Sequence, residues 1–352
     1  MCIVKSGTTR SKKGLPVSFP RQRVSVRKSD ASTRTRNLME KVYKCKYVVV
    51  AGGGSKAASY LGILKALEAQ GGERWKAHCC ETVVGFAGSS AGSIVALCLC
   101  LSLTSTEMRE VVDPILSNVS SIVPRPDISA LVNDYGLDRG EAIVEMLEGI
   151  MRKGGVAETT TFDRLYQLTR KEFCCTGFNL NTSSSVAFTR HTHAGMRVID
   201  AVRISTSVPL LFSPVCVDGD LYIDGALGCN IPQSYPSDQT MVWYLEDPVR
   251  LEIQGWPDYA HSVLQASMAV QRPMQNAYLK ECAFVVLVRM PDHILNGPGL
   301  NLNQTTSVSE QLVSCGYASF CNAVTQGGLY RALAGIITSS TTAQQWGSMM
   351  SS

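Results

Sequence analysis

A Gly-x-Ser-x-Gly pentapeptide, Gly88 to Gly92, constrains the fold of this chain more than any other feature. An apolar segment precedes it at 83–87, and a longer apolar run follows it at 94–103. This is the context of a nucleophile elbow, in which a strand enters a sharp turn and a helix begins directly after it. The glycines allow close backbone approach in that turn. The pattern predicts Ser90 as a nucleophile at the start of a helix; the alternative is a strand-to-helix turn without chemistry.

A second strand–loop–helix unit precedes the elbow. Residues 47–51 form a short, β-branched apolar run typical of a buried strand, and Gly52-Gly53-Gly54 follows it directly. Apolar residues then recur at helical spacing over 61–67 until two glycines end the pattern. Two successive units of this kind predict an α/β fold with a mainly parallel sheet and helices packed on its faces.

The pattern continues downstream. We predict helices at 139–151, 162–168, 198–204, 259–280 and 308–324. We predict strands at 173–180, 185–189, 221–223, 241–245 and 283–288.

The composition indicates a globular protein with reduced thiols. Of the 352 residues, 45% are hydrophobic and 18% are charged, which suffices for a large core. The 13 cysteines are odd in number and contain no Cys-x-x-Cys pair, so neither a disulfide framework nor structural zinc is expected. The longest apolar run is too short to span a bilayer, and nothing near the N-terminus resembles a secretory signal. We therefore expect a cytoplasmic protein, peripheral to membranes if it contacts them.

The net charge of +4 conceals a basic N-terminal segment. Residues 1–46 hold 13 of the Lys and Arg residues but only Asp30 and Glu40 as acids. We expect this segment to be a disordered tail. It is either a solvated tail, a basic arm that contacts anionic lipid or nucleic acid, or an organelle transit peptide. The predicted domain covers 47–325, and a C-terminal tail of unassigned structure covers 326–352.

A nucleophilic serine needs a base within hydrogen-bond reach and donors for the oxyanion. A Ser-Asp-His order would require His261 or His293, but neither has a suggestive setting. We interpret all five histidines as structural: 78, 191, 193, 261 and 293. Asp224 is a better base, because it ends a β-rich run and is followed by Gly225-Ala226. The alternative for Asp224 is an ordinary Asp-Gly hairpin turn.

Three motifs in this order resemble the patatin-like phospholipase family, and the similarity runs from about residue 47 to 324. The family's G-G-G-x-[RK]-G loop is matched by Gly52-Gly53-Gly54-Ser55-Lys56-Ala57, its G-x-S-x-G by Gly88 to Gly92, and its D-G-[GA] by Asp224-Gly225-Ala226. Further family-like phrases lie between them, at 135–141, 161–165, 179–182 and 201–214.

The resemblance implies a three-layer α/β/α fold and a Ser-Asp dyad, with Ser90 as nucleophile and Asp224 as general base. It assigns the oxyanion hole to the loop at 52–57, above all to the N–H groups of Gly53 and Gly54, and implies no metal or other cofactor. The chain departs from the family at Ala57, where glycine is usual. Alanine is costly there if φ is positive and tolerable if the residue only packs helix against strand. Lys56 either meets a phosphate headgroup or holds the loop in place.

The resemblance therefore implies a phospholipase A-type acyl hydrolase that acts on membrane surfaces or lipid aggregates, with no nucleic acid at the active site. The sequence contains no EF-hand-like D-x-D-x-D-G loop, so we expect the enzyme to be calcium-independent. Three alternatives remain. One is a catalytically silent lipid-binding relative, for which Ala57 is the hint. Another is a dinucleotide-binding module that uses Gly52-x-Gly54-x-x-Ala57 and Glu73. The third is a histidine-triad hydrolase that uses His261 or His293.

Overall fold

The structure is a computed structural model that describes residues 28–116, 128–246, 253, 255–291, 294 and 306–326. Most of the basic N-terminal segment, almost all of the predicted C-terminal tail and His293 lie outside these residues.

The described chain forms ten strands. They are β1 (Tyr47–Val50), β2 (Gly85–Gly88), β3 (Gly136–Asp138), β4 (Glu172–Asn179), β5 (Ser184–Phe188), β6 (Leu210–Phe212), β7 (Val215–Val217), β8 (Asp220–Asp224), β9 (Thr240–Leu245) and β10 (Phe284–Val288).

Thirteen α-helices lie in the same part of the chain. They are α1 (Lys28–Val42), α2 (Ala58–Gly71), α3 (Glu73–Ala77), α4 (Ala91–Cys100), α5 (Ser105–Leu116), α6 (Ile128–Asn133), α7 (Glu141–Lys153), α8 (Phe162–Thr169), α9 (Val198–Ser205), α10 (Ala226–Cys229), α11 (Trp256–Ala269), α12 (Arg272–Glu281) and α13 (Thr306–Gln326). A 3-10 turn, Gly54–Ala57, precedes α2.

The main sheet has eight strands in the order β10-β9-β1-β2-β4-β8-β7, with β5 paired to β4. The five strands from β10 to β4 are parallel to their neighbours. Strands β5, β7 and β8 add an antiparallel part. Two short strands, β3 and β6, pair separately. The prediction of an α/β fold with a mainly parallel sheet is confirmed.

The sheet is covered on both faces, because successive residues of a strand point to opposite sides. Val48 and Val50 of β1 pack into the larger core, which contains residues of α2, α4, α9 and α13. Val49 and Ala51 pack into a smaller core that includes Leu279 of α12. This arrangement gives the three layers of the predicted α/β/α fold.

The register of β4 explains how two distant segments meet. Cys175 pairs with Gly88 at the end of β2, and Gly177 pairs with Asp224 at the end of β8. Strand β5 occupies one edge of β4 at both positions. Because a strand has only two edges, β2 and β8 share the other edge and their carboxyl ends face each other along it.

Helix α13 crosses α2 at very short range and ties the end of the described chain to the core. A Cβ on Gly62 would lie 1.9 Å from the carbonyl oxygen of Val313, and a Cβ on Gly316 would lie 1.8 Å from that of Ser59. Only glycine permits this backbone approach. Strands β9 and β10 and helix α13 thus pack with the earlier units around one sheet.

Nine of the ten helices and strands predicted downstream of the elbow occur within two residues of the predicted bounds. The exception is the single helix predicted at 259–280, which is wrong. Two helices occupy this range, because Pro273 cannot donate a main-chain hydrogen bond and its ring disfavours helical geometry before it.

The disordered tail predicted for residues 1–46 is wrong for residues 28–42, which form α1. The apolar residues of this helix are few and lie near its end: Val42 is fully buried, and Leu38 and Met39 pack against the larger core. Glu40 forms an ion pair of 2.9 Å with Arg74. So few apolar positions give too weak a period to be recognised in the sequence.

Candidate active site

Ser90 lies in the turn between β2 and α4, with φ 52° and ψ −136°. A positive φ is strained for any residue with a side chain. A Cβ on Gly88 would lie 2.3 Å from the main-chain oxygen of Gly92, and a Cβ on Gly92 would lie 2.4 Å from that of Ala51. The two elbow glycines are therefore required by backbone contact, and the turn has the geometry of a nucleophile elbow.

Asp224 ends β8 directly opposite this turn. Ser90 Oγ donates a hydrogen bond of 2.6 Å to Asp224 Oδ2, although 134 positions separate the two residues. The other carboxylate oxygen, Oδ1, accepts the N–H of Ala226 at 2.8 Å. Gly225 is required for this bend, because a Cβ there would lie 2.2 Å from the carbonyl oxygen of Thr176. Each oxygen of the Asp224 carboxylate therefore accepts one hydrogen bond, which fixes the orientation of the side chain.

The Ser90–Asp224 pair is almost completely shielded from water. Ser90 is 6% exposed and Asp224 is 3% exposed. Burial raises the pKa of the Asp224 carboxyl to about 7, against the opposing effect of its hydrogen bonds with Ser90 and Ala226. A carboxylate with a pKa near neutrality is a better proton acceptor than an ordinary aspartate.

The glycine loop at 52–54 lies beside this pair and is shaped for close contact. Gly54 has φ 53°, in the region that favours glycine. A Cβ on Gly53 would lie 2.2 Å from Leu245 Cδ1. Gly52 donates its N–H to Asn230 Oδ1 at 2.9 Å, so this donor is occupied. Within the described residues Gly53 and Gly54 donate no main-chain hydrogen bond, which leaves them as the candidate oxyanion donors.

The remaining loop residues are placed differently. Ala57 has φ −61° and is 2% exposed in the core, so its position needs neither positive φ nor a missing side chain. Ser55 is also buried. Lys56 lines the cleft, and burial lowers the pKa of its ammonium group to about 8. The departure from the family pattern at Ala57 is therefore compatible with an intact loop.

Asn230 holds the loop from the other side of the cleft, and sequence reasoning missed it. Its main-chain N–H donates to Gln271 Oε1 at 3.2 Å. Gln271 Nε2 donates to the carbonyl oxygen of Leu227 at 2.5 Å, and the buried Gln275 donates to Gln271 Oε1 at 3.1 Å. These bonds connect α12 to the glycine loop. Their only signal in the sequence is that Asn230 follows the Asp-Gly motif by a few residues.

Arg203 of α9 is a second residue that sequence reasoning missed. Its guanidinium group donates to Ser207 Oγ at 2.6 Å and to the carbonyl oxygens of Arg139 at 2.7 Å and Ser213 at 3.2 Å. The carbonyl oxygen of Ser207 accepts the main-chain N–H of Asp224 at 2.9 Å. Burial lowers the pKa of Arg203 to about 10, which leaves it charged at neutral pH. Arg203 therefore fixes the segment that supports Asp224.

A cleft opens over Ser90, Asp224 and the glycine loop. Much of its wall is apolar and comes from four parts of the chain: Val208, Pro209, Leu227, Leu245, Leu264 and Met268. Two cationic side chains, Lys56 and Arg272, and one carboxylate beyond Asp224, that of Glu246, also line it. The cleft therefore combines an apolar wall with cationic groups beside the Ser90–Asp224 pair.

Glu73 and the three histidines whose side chains the structure describes do not line this cleft. The side chains of His261 and His293 lie outside the described residues. His78 is buried beside Tyr43, His191 is exposed near Glu172, and His193 packs against Phe188. Glu73 is exposed at the start of α3, whereas a dinucleotide site needs its acidic residue near the loop. Within the described residues, no group of three His, Cys, Asp or Glu side chains is arranged to hold a metal ion.

The fold and the site together define a class: an α/β protein in which an elbow serine contacts a buried aspartate directly, beside a glycine loop. The sequence profile described as patatin-like phospholipase matches residues 48–236, more than half of the chain. The chain belongs to the patatin-like phospholipase family.

Two viral proteins are similar in sequence. Probable lipid hydrolase 463L of Invertebrate iridescent virus 6 is 25% identical over 196 residues, 56% of this chain and 64% of that protein. Uncharacterized protein R571 of Acanthamoeba polyphaga mimivirus is 24% identical over 189 residues, 53% of this chain and 60% of that protein. The chain thus spans less than two thirds of the length of either relative.

Among solved structures, VipD from Legionella pneumophila is similar in fold. The TM-score is 0.52 at 14% sequence identity, over 80% of this chain and 67% of VipD. At this identity the likeness supports the three-layer architecture. A separate observation concerns membranes: none of the helices in the described part of the chain combines the length and apolar character needed to cross a bilayer.

Proposed function

We propose that this protein is a lipid acyl hydrolase of the phospholipase A type, which cleaves fatty-acyl esters of glycerophospholipids through Ser90 and Asp224. The observation that carries the proposal is the buried hydrogen bond of 2.6 Å between Ser90 Oγ and Asp224 Oδ2. It joins a strained elbow serine to a carboxylate whose pKa is raised to about 7. Family membership and the viral relative named as a probable lipid hydrolase support the substrate class.

In the proposed reaction Asp224 accepts the Ser90 proton while Ser90 Oγ attacks the ester carbonyl. The lysolipid then leaves with a proton returned from Asp224. Asp224 next activates a water molecule, which cleaves the acyl-enzyme and regenerates the serine. No histidine is needed between the two side chains, because the hydroxyl and the carboxylate are already in contact.

The N–H groups of Gly53 and Gly54 would stabilise the oxyanion of both tetrahedral intermediates. A single donor of this type is typically worth about 3 kcal/mol of barrier. The Gly52 N–H takes no part in this proposal, because Asn230 occupies it. The loop also precedes α2, whose N-terminal dipole adds partial positive charge.

The cleft fits an ester with a long acyl chain and an anionic headgroup. Its apolar wall, which includes Leu227, Leu264 and Met268, would take the acyl chain. Lys56 and Arg272 would attract the headgroup phosphate. No step of this chemistry requires calcium, so we expect activity to persist in EDTA. The substrate would be presented by a membrane surface or a lipid aggregate.

The test is incubation of purified protein with mixed phospholipid vesicles and identification of the products by mass spectrometry. Wild-type protein should release free fatty acid and lysophospholipid. Ser90→Ala and Asp224→Asn should each abolish release while circular dichroism shows an unchanged fold. Near-normal turnover by Asp224→Asn would rule out the dyad.

Two controls separate this proposal from its alternatives. Wild-type protein should react covalently with a fluorophosphonate probe, and Ser90→Ala should not. Vesicle binding without product or probe labelling would favour a catalytically silent relative. A large loss of activity in His261→Ala or His293→Ala, with Asp224→Asn still active, would favour a histidine triad.

A further inference from the structure

The outward side of α11 is apolar. Tyr259, Val263, Ala266 and Val270 recur at spacings of three and four residues and all are exposed, with Ser267 beside them. Tyr259 is 52% exposed, Val263 is 51% exposed and Val270 is 80% exposed. We call the set Tyr259, Val263, Ala266 and Val270 the α11 face. Single exposed apolar residues are common, but an exposed row along one helix indicates a contact surface.

The α11 face also lacks charge. No Asp, Glu, Lys or Arg occurs anywhere from Tyr259 to Gln271, in a chain that is 18% charged. A helix that faces water normally carries charged residues on its outer side. The apolar surface continues beyond the helix, because Met274 in α12 is 69% exposed. The region is therefore suited to an apolar environment rather than to water.

The same helix forms part of the cleft wall. Leu264 and Met268, on α11, line the cleft that holds Ser90. Arg272, which follows the α11 face at the start of α12, lines it as well. A second exposed apolar residue, Leu210, is 41% exposed and directly follows Pro209 of the cleft wall. Apolar surface thus continues from the exterior into the cleft.

We propose that the α11 face is the surface by which the protein docks on a lipid bilayer. This inference rests on the proposed function, since a lipid hydrolase must draw its substrate from an aggregate. The bilayer is the occupant that fits best, because its acyl region excludes charge and the α11 face has none. Tyr259 suits the boundary between headgroups and acyl chains, where amphipathic rings accumulate.

Docking through an uncharged face has a distinct signature. Binding to vesicles of phosphatidylcholine, which is zwitterionic, should need no anionic lipid. It should also change little between about 0.1 M and 1 M salt, because screening weakens only charge-based attraction. A basic arm on an anionic membrane would show the opposite behaviour.

The experiment combines vesicle flotation with two activity assays on the full chain. Flotation uses a Ser90→Ala background, so that the lipid is not consumed. The test variant is Val263→Glu/Val270→Glu. It places two charges on the α11 face and replaces none of the residues that line the cleft. The matched control is Val132→Glu on α6, where the valine is 73% exposed and distant in sequence. Hydrolysis of vesicles and of the monomeric ester p-nitrophenyl butyrate is measured in otherwise wild-type protein.

The double variant should lose roughly tenfold or more in both vesicle binding and vesicle hydrolysis. Its turnover of the monomeric ester should stay within about twofold of wild type, as should every property of the control. Wild-type binding by the double variant, or no binding by the parent, would overturn the docking inference. A dimer that the double substitution dissociates, with vesicle binding unchanged, would assign the face to a second copy instead. Absence of ester turnover with normal flotation would reject the proposed function alone.

Discussion

Asn230 accepts the main-chain N–H of Gly52 through its side-chain oxygen at 2.9 Å, across 178 positions of sequence. The contact is close enough that a Cβ on Gly52 would lie 2.7 Å from Asn230 Oδ1. It fixes the start of the glycine loop, whose next two residues, Gly53 and Gly54, line the cleft. Asn230 is therefore a positioning residue for the proposed oxyanion hole.

Asn230→Ala should lower kcat for a soluble ester by roughly a hundredfold with a much smaller change in KM, because a displaced oxyanion loop affects the transition state most. It should also reduce the free energy of unfolding by about 0.5–1.5 kcal/mol, since the Gly52 N–H loses its side-chain acceptor and keeps only the 3.4 Å contact with the main-chain oxygen of residue 230. Kinetics with p-nitrophenyl butyrate and denaturant unfolding measure the two effects.

Asn230→Asp is the matched control, because it keeps the acceptor oxygen but adds negative charge near the developing oxyanion. Its free energy of unfolding should be closer to that of the wild type than the alanine variant's is, but its kcat should still be lower than the wild-type value. Equal kcat in the wild type and both variants would show that the loop does not depend on Asn230.

The second prediction concerns the pH dependence of the reaction. Asp224 accepts a proton only when ionised, and burial raises its pKa from 3.8 to about 7. The value of kcat/KM should therefore rise with pH and level off above an inflection near pH 7. The measurement is kcat/KM for a neutral soluble ester across this range at constant ionic strength. Full activity maintained down to pH 5 would contradict a raised pKa.

The site was predictable from the sequence where backbone geometry demands particular residues. Gly88 and Gly92 must be glycine, because a Cβ at either position would collide with a neighbouring backbone oxygen. Gly225 must be glycine because a Cβ there would collide with the carbonyl oxygen of Thr176. Such positions leave a local motif that can be recognised without the fold. The pairing of Ser90 with Asp224 was implied by the family resemblance that the three ordered motifs carry, and the shared edge of β4 is its structural cause.

The supporting residues were not predictable in the same way. Asn230, Gln271 and Arg203 act through hydrogen bonds to backbone atoms far away in the chain, which impose no period and no spacing on the sequence. The different roles of the three loop glycines could not be predicted either. Only the structure shows that the Gly52 N–H donates to Asn230. The break between α11 and α12 lies just before Pro273, and the prediction of one helix at 259–280 did not take this proline into account.

The third prediction is that Asp224→Asn stabilises the protein at the expense of activity. Since the pKa of Asp224 is raised in the folded state, that state binds the proton more tightly than the unfolded chain does. Stability is therefore lost as pH rises from about 4 to about 7. The loss is at most about 4 kcal/mol, from three pKa units at about 1.36 kcal/mol each. Asparagine is neutral and escapes this loss, while its amide can still bond with Ser90 and Ala226.

Urea unfolding of both proteins at several pH values measures this effect. The stability of Asp224→Asn relative to wild type should increase from pH 4 to pH 7 and remain constant above it. A difference that does not vary with pH would mean that the carboxylate titrates alike in the folded and unfolded states.

The fourth prediction isolates backbone strain at the nucleophile. Ser90 has φ 52° and ψ −136°, a region that glycine enters freely and alanine does not. Both Ser90→Gly and Ser90→Ala remove the hydroxyl group and its bond to Asp224, so they differ chiefly in backbone freedom and one methyl group. Ser90→Gly should be more stable than Ser90→Ala by about 1–3 kcal/mol, despite the greater entropy of glycine in the unfolded chain. Denaturant unfolding at one pH compares the two variants. The control is Ala91→Gly, at the first residue of α4, where the backbone is helical and glycine should lower the stability. If Ser90→Ala is as stable as Ser90→Gly, the elbow stores no strain and the serine is held there at no conformational cost.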